Sequence, residues 1–534
     1  ETTNLSKIRR EKMLNTISDI KKNITDEIVL NNLSLIENEL TKKKYGLIWE
    51  EHEERVDKEL KTQIPVFEEK KSKKIVTINN SKYNFLLEGD NLHSLYLLEK
   101  THKGRIDFIY IDPPYNTRNR DFMYNDEYVD PENEYKHSKW LSFMSRRLEI
   151  AKKLLKDDGV IFISIDNNEF AQLKLLCDDI FGENSFVTDI HVEMSATQGM
   201  KVKAAKLGNI VKNAENILVY SKNGNKTIGK TILLDPVKYD SHYNRYLIKK
   251  DNYYELTDFN AILKEKENNK VYSELELLNF LDKKGNLSNN KISDAYDRTI
   301  LFREWVNENA KNICRIHDSI DVEKSIKDKM VFGRAYDYNS NSRSYIIMKN
   351  KDNSISQIIQ LEEKLKKAND FYETYGPTKI RGDWWQGFYL DMGNVSKEGG
   401  VPFDNGKKPC RLIRQLIQFA TSKDAIILDF FAGSGSTAEA VLQQNKIDGG
   451  NREFILCTNN ENYICEKITY TRLSNISKKY NYNLKYYKTS YVPKINTDEE
   501  NLSKNLMSNI KNLIQLENGI EIDDKLVKII LSEN

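Results

Sequence analysis

The 534-residue sequence predicts an α/β protein built on a doubly wound, Rossmann-like sheet, and three observations carry that prediction. The apolar run at 106–111 stops at Asp112-Pro113-Pro114-Tyr115. A second run at 425–431 passes through Ala432-Gly433-Ser434-Gly435-Ser436-Thr437 into the helix-like stretch 438–442. A third, at 160–165, is strongly apolar and follows Asp157-Asp158-Gly159. Short apolar runs bounded by turn residues and separated by helix-length stretches are the pattern of strands buried on both faces of a parallel sheet.

In chain order, residues 1–80 read as a helical extension. Ile17, Ile20 and Ile24, then Leu33, Ile36 and Leu40, recur at intervals of three and four, the signature of an amphipathic helix. Docking on the core is the expected use of such a stripe, with dimer formation and DNA contact as the alternatives. Residues 81–224 form the first half of the main domain. A strand at 84–87 precedes Gly89-Asp90-Asn91, Leu154-Leu155 end a helical segment, Asp157-Asp158-Gly159 turns the chain, and 160–165 is a central strand. Residues 225–380 change character, rich in Asn, Lys, Asp and Tyr, and carry no catalytic motif. They should hold short strands such as 344–348 and helices at 273–282 and 355–367, with Arg334, Tyr336, Tyr338, Asn339, Asn341 and Arg343 in one polar, aromatic loop. Residues 381–490 form the second half of the main domain, opened by Trp384-Trp385, whose large apolar area suits packing between domains. Residues 491–534, with Leu502, Leu506, Ile510, Leu513 and Ile514, start as a helix and read as a small accessory or dimer module.

Asp112, Pro113, Pro114 and Tyr115 are the candidate catalytic residues. Two consecutive prolines have fixed φ and no N–H, so they end strand pairing and turn the carbonyls and the Asp112 carboxylate outward as acceptors. An exocyclic amino group offers the complementary donors. Its lone pair is delocalised into the base ring, and it becomes nucleophilic only when acceptors such as Asp112 and the Pro113 carbonyl hold both hydrogens. Tyr115 offers a flat face for a base extruded from the helix, a contact worth roughly 1–3 kcal/mol. A plain strand-ending turn explains the same four residues, and the second motif is what separates the two readings.

The strand, glycine turn and helix at 425–442 form a cofactor cradle. Gly433 and Gly435 let backbone amides approach a ligand, and the following helix N-terminus favours a carboxylate such as that of S-adenosylmethionine. Gly433-x-Gly435-x-x-Ala438 also fits the looser dinucleotide fingerprint, which expects an acid at the end of the next strand. That strand, 453–457, ends in Thr458-Asn459-Asn460-Glu461, and Asn459, Asn460 and Glu461 all stand as candidates for a ribose contact.

The pairing of Asp-Pro-Pro-Tyr upstream with Asp429-Phe430-Phe431-Ala432-Gly433-Ser434-Gly435 downstream resembles the beta-class amino-group DNA methyltransferases. The likeness is strongest to the modification subunits of type III restriction systems and their stand-alone relatives. It extends over about 83–222 and 382–473, with 45–65 also similar. It implies an S-adenosylmethionine-dependent methyltransferase fold with an inserted α+β target recognition domain at 225–380. It also implies methyl transfer to adenine N6, since relatives acting on cytosine N4 more often carry Ser at position 112. Double-stranded DNA is the implied partner, with a homodimer and a separate restriction subunit as further expectations. Residue by residue, the resemblance places Asp90 near the cofactor adenine, Lys408 and Pro409 beside its methionine moiety, and Asp429, Phe431 and Thr437 along its length. Thr458 departs from the acid that many relatives place there for the ribose, so the ribose contact stays open among Asn459, Asn460 and Glu461, with Asn459 counted among the cofactor-binding candidates. In similar enzymes the stretch 135–140 lies close to the cofactor; a helix start capped by Ser138 explains it equally well.

Composition adds limits. Lys and Arg total 82 against 80 Asp and Glu, so a DNA-facing surface must be a local patch. The five cysteines include no Cys-x-x-Cys pair and read as buried, reduced thiols. The seven histidines show no ligand spacing, so no metal is expected, and His93, His102 and His137 read as packing or surface residues. With no bilayer-length apolar run and no leader pattern, a cytoplasmic protein is expected.

Overall fold

A computed structural model describes residues 5–41, 49–117, 123–124, 127–128, 136–340, 343–402, 407–494 and 499–522. Its centre is one ten-stranded sheet. The strand order is Gln63–Glu69, Asn483–Pro493, Tyr83–Glu88, Glu453–Thr458, Ile426–Asp429, Ile106–Ile111, Leu155–Ile165, Ala214–Ser221, Phe186–Glu193 and Trp384–Trp385. From Asn483–Pro493 to Leu155–Ile165 all neighbours are parallel, whereas Ala214–Ser221 runs against both of its neighbours.

Alternation along these strands fills two cores. Ile109, Ile111, Ile161 and Ile163 pack under the helices Asn91–His102, Lys136–Leu154 and Phe170–Phe181, through residues such as Leu95, Leu148 and Leu173. Phe108, Tyr110 and Phe162 face Cys410–Ala420, Ser436–Asp448 and Tyr470–Ile476, through Leu416, Val441 and Leu473. With helices on both faces, the strands can be apolar throughout, as the sequence requires.

The connectivity creates a crevice. From Ile426–Asp429 the chain passes through helix Ser436–Asp448 to Glu453–Thr458 on one side. From Ile106–Ile111 it passes through Lys136–Leu154 to Leu155–Ile165 on the other. Adjacent parallel strands whose crossovers depart in opposite directions leave a gap outside their carboxyl ends, where open α/β sheets bind ligands.

Several expectations change. Asp157-Asp158-Gly159 makes no turn: strand Leu155–Ile165 begins directly after its helix, and the register jumps from Ile106↔Leu155 to Phe108↔Val160. The extra residues are absorbed as an irregularity within the ladder. Residues 355–367 are not a helix but the strand Ile355–Gln360, a short 3-10 turn and the strand Leu365–Lys367. Ile355, Ile358 and Ile359 imitate helical spacing, yet their β-branched side chains suit the pleated wall of a closed six-stranded barrel, which lies wholly within 225–380. The helix expected at 273–282 spans Asn269–Leu277 and stops before Asn279, whose φ is +61°. Arg334, Tyr336, Tyr338 and Asn339 lie on a strand paired with the one carrying Arg343, a hairpin rather than a loop; Asn341 lies outside the described residues.

The helix Glu499–Asn518 is no separate module. It docks on the sheet edge, where Asn512 donates to the Phe67 carbonyl at 2.8 Å and Leu516 is buried. At the other end, Leu5–Lys22 and Glu27–Thr41 pair with each other, joined by Lys21 and Glu37 at 2.6 Å. Of the expected stripe, Ile17 is buried, but Ile20 and Ile36 are exposed. Trp385 packs on Phe388 in the second core, while Trp384 is 43% exposed.

Candidate active site

The site is built by strand ends. Ile106–Ile111 and Ile426–Asp429 are adjacent and parallel, with Phe108 opposite Ile427 and Ile109 opposite Leu428. The Asp-Pro-Pro-Tyr turn and the glycine turn therefore leave the same sheet edge, although more than 300 residues separate them in the sequence. The two carboxylates feel each other: burial pushes Asp429 up to about 7 against its hydrogen bonds to Thr437 and Phe431, and the charge of Asp112 pushes the same way.

Each turn is braced. Trp140, fully buried, donates its indole N–H to the Pro114 carbonyl at 2.7 Å. Asn116 adopts φ +54° and donates to buried Glu169 at 2.5 Å, and His137 reaches the same carboxylate oxygen at 2.7 Å. The helix expected to start at Ser138 already spans Lys136–Leu154, so Ser138 is no cap; Tyr135 lies outside the described residues. Neither reading of that stretch foresaw the role of Trp140 as a brace.

On the other turn, Asp429 accepts from the Phe431 amide at 2.9 Å and from the Thr437 hydroxyl at 2.5 Å, tying strand end to helix start. Gly433 and Gly435 have φ of +47° and +79°, the left-handed region that L side chains avoid. A Cβ on Gly433 would meet only the Phe431 carbonyl oxygen, 3.9 Å away. That leaves room for a ligand to approach the backbone. Thr469 donates to the Gly433 carbonyl, and Arg472, fully buried, donates to Ser434 and Ser436 while pairing with Glu439 at 2.8 Å.

The remaining expected residues fall around this crevice. Asp90 caps helix Asn91–His102 by accepting from Leu92 and lies 3.3 Å from Arg147, while its neighbour Asn91 donates to the Phe430 carbonyl. Phe431 packs against Phe143. Pro409 precedes helix Cys410–Ala420; Gly406 lies outside the described residues. Asn459 is exposed just past strand Glu453–Thr458, whereas Asn460 accepts the Glu466 amide. Lys408 points at the Asp-Pro-Pro-Tyr turn, 3.4 Å from Asp112 and 3.0 Å from Glu215. Glu215 was not legible in advance. It opens a strand antiparallel to its neighbours, so the start of that strand, not its end, reaches the ligand edge.

Residues 106–470 match the N6_N4_Mtase family of DNA methylases, more than half of the chain. The chain belongs to that family. It is 32% identical over 429 residues to the type III restriction-modification enzyme StyLTI Mod subunit of Salmonella typhimurium, covering 75% of this chain and 56% of that protein. It is 31% identical over 395 residues to the probable HindVI Mod subunit of Haemophilus influenzae, covering 68% and 47%. The type II methyltransferase M.KpnI of Klebsiella pneumoniae is 29% identical over 399 residues, covering 73% and 84%. The chain thus spans about half the length of the two Mod subunits.

A cavity of about 340 Å³ opens elsewhere, among Lys70, Lys73, Glu88, Glu466 and Lys488. Its lysines are matched by Glu68, Glu466 and Glu88, and the methylase motifs do not line it. Among the described residues no group of three His, Cys, Asp or Glu side chains could hold a metal, and no helix is long and apolar enough to cross a membrane. All five cysteines are buried.

The raised Asp429 gives a pH test of folding. Its folded value near 7 lies above the unfolded 3.8, so the contribution is fully present below about pH 4 and lost as pH rises through 7. The loss is up to about 4 kcal/mol. Asp429→Asn should raise the thermal midpoint relative to wild type at pH 8 and much less at pH 5; an equal difference at both would show that Asp429 is ionised throughout.

Proposed function

We propose that this chain is a site-specific DNA methyltransferase that uses S-adenosylmethionine to methylate the N6 amino group of an extruded adenine. The convergence of Asp112-Pro113-Pro114-Tyr115 and the Gly433 turn on one sheet edge carries the reading. The relatives named Mod subunits extend it to a restriction-modification setting with a separate restriction subunit.

The residues fit the cofactor. Left-handed Gly433 and Gly435 open the backbone, and the N-terminus of helix Ser436–Asp448 faces the crevice, where a carboxylate is favoured. When bound, the cofactor supplies an electrophilic methyl group on its sulfonium.

The chain then has to make an amide-like nitrogen nucleophilic. Trp140 occupies the Pro114 carbonyl, which singles out the Pro113 carbonyl as the acceptor beside Asp112. With one amino hydrogen on each, the nitrogen becomes tetrahedral and its lone pair faces the glycine turn. Tyr115 holds the base by its ring face. Asp112 would take the proton that the amino nitrogen sheds on methylation. Burial raises the affinity of that carboxylate for a proton, and Lys408 offsets part of the rise. The barrel within 225–380 supplies the surface for reading sequence: Arg334 lies over the Tyr253 ring at 4.1 Å, and Asn339 and Arg343 lie on the same hairpin as Arg334. Arg and Asn are the side chains that pair with guanine and adenine edges.

Single-molecule sequencing of DNA from cells expressing the chain tests this reading. Modified adenine in one sequence context is expected with wild type and none with Asp112→Ala; identical unmodified DNA from both would refute it. Trp140→Phe keeps the packing but removes the indole donor, worth about 1 kcal/mol. It should slow methyl transfer about fivefold and leave cofactor affinity unchanged by calorimetry.

A further inference from the structure

Four polar groups meet at the mouth of the catalytic turn. Lys408 Nζ lies 3.0 Å from Glu215 Oε2, 3.4 Å from Asp112 Oδ1 and 4.8 Å from the centre of the Tyr115 ring. The Tyr115 hydroxyl donates to Asp112 Oδ1 at 2.8 Å and is 3.3 Å from the same Glu215 oxygen. Two carboxylates therefore share one ammonium and one hydroxyl, and both shared donors sit on the same Asp112 oxygen, Oδ1.

The sharing is unequal. The ammonium is closer to Glu215, and the side chains of Lys408, Asp112 and Glu215 are 9, 19 and 27% exposed, so the charges interact with little screening by water. Burial pushes Glu215 up, but Lys408, joined by Lys212 and the Tyr115 hydroxyl, holds it below the usual carboxylate range, whereas burial keeps Asp112 above it. An entering amino group brings its own donors to Asp112, and a lysine with no second anchor would compete with them.

We infer that Glu215 is a positioning residue for methyl transfer: it anchors Lys408 and the Tyr115 hydroxyl so that Asp112 is released to the amino group of the substrate base. The inference rests on the methyltransferase reading above. In the base-free site Lys408 fills the donor position on Asp112 and keeps the buried carboxylate matched. When the base enters, the ammonium stays with Glu215, and Asp112 exchanges one donor for another without being left bare. Without Glu215 the same lysine pairs with Asp112 alone and blocks it.

A double-mutant cycle tests this with purified full chain, labelled S-adenosylmethionine and unmodified genomic DNA. Glu215→Gln, close to isosteric, should lower kcat at least tenfold and change the KM for the cofactor less than twofold. In the Lys408→Met background the same change should cost less than twofold, because the competing cation is gone. Equal loss in both backgrounds, or no loss in either, would overturn the inference. If Lys408→Met does not fold, Glu215→Asp replaces it: recovery of most of the rate lost in Glu215→Gln supports the anchoring charge, and a rate no better than Glu215→Gln overturns it. Absence of methyl transfer by wild type would instead defeat the methyltransferase reading itself.

Discussion

Asp112→Ala should abolish methyl transfer while leaving cofactor binding within threefold of wild type. The substitution removes one of the two acceptors that make the amino nitrogen nucleophilic. Removing a single preorganised group of this kind costs roughly a thousandfold in rate, equivalent to about 4 kcal/mol of transition-state stabilisation. Folding should not suffer, because Asp112 is a buried carboxylate whose ionisation burial disfavours, and Lys408 keeps its closer partner Glu215. Single-turnover rates with labelled cofactor, alongside calorimetric cofactor affinity, separate the two effects. Turnover within tenfold of wild type would remove Asp112 from the reaction.

Gly433→Val should do the opposite, losing cofactor affinity at least a hundredfold with the base-stacking turn intact. Two costs add. At φ +47° a β-branched residue pays the left-handed penalty of about 1–2 kcal/mol. Its methyl groups would also project into the open space above the turn, where the ligand must meet the backbone. Gly433→Ala should fall between, and Asp112 should be undisturbed in all three proteins. Calorimetric titration reads the affinity, and a thermal melt checks that the helix Ser436–Asp448 still docks. Tight binding by Gly433→Val would place the cofactor elsewhere.

The strands that carry the site were legible because burial on both faces forces continuous apolar runs. Ile106–Ile111 stops before two prolines, whereas Ile426–Asp429 stops two residues short of the apolar run read at 425–431. Their adjacency is a property of the sheet, yet the two motifs implied it, since neither makes a site alone. What stayed hidden was tertiary. Nothing near Trp140 says that its indole N–H reaches the Pro114 carbonyl, and Glu169 looks like any turn acid until Asn116 and His137 converge on it. Glu215 was concealed by strand direction. Lys408 was read as lining the methionine moiety, and its reach to the Asp112 carboxylate was not foreseen. The barrel residues at 355–360 misled for a different reason: three isoleucines at helical spacing were read by their period, whereas their β-branching favours a strand in a closed wall.

The proposed function has two loops, brought together by neighbouring parallel strands, act on one nitrogen. The most direct measurement is nucleoside analysis after the purified chain reacts with labelled S-adenosylmethionine and unmodified double-stranded DNA. Label recovered as N6-methyladenine is the predicted result. Label in N4-methylcytosine, in protein, or in no product at all would contradict it.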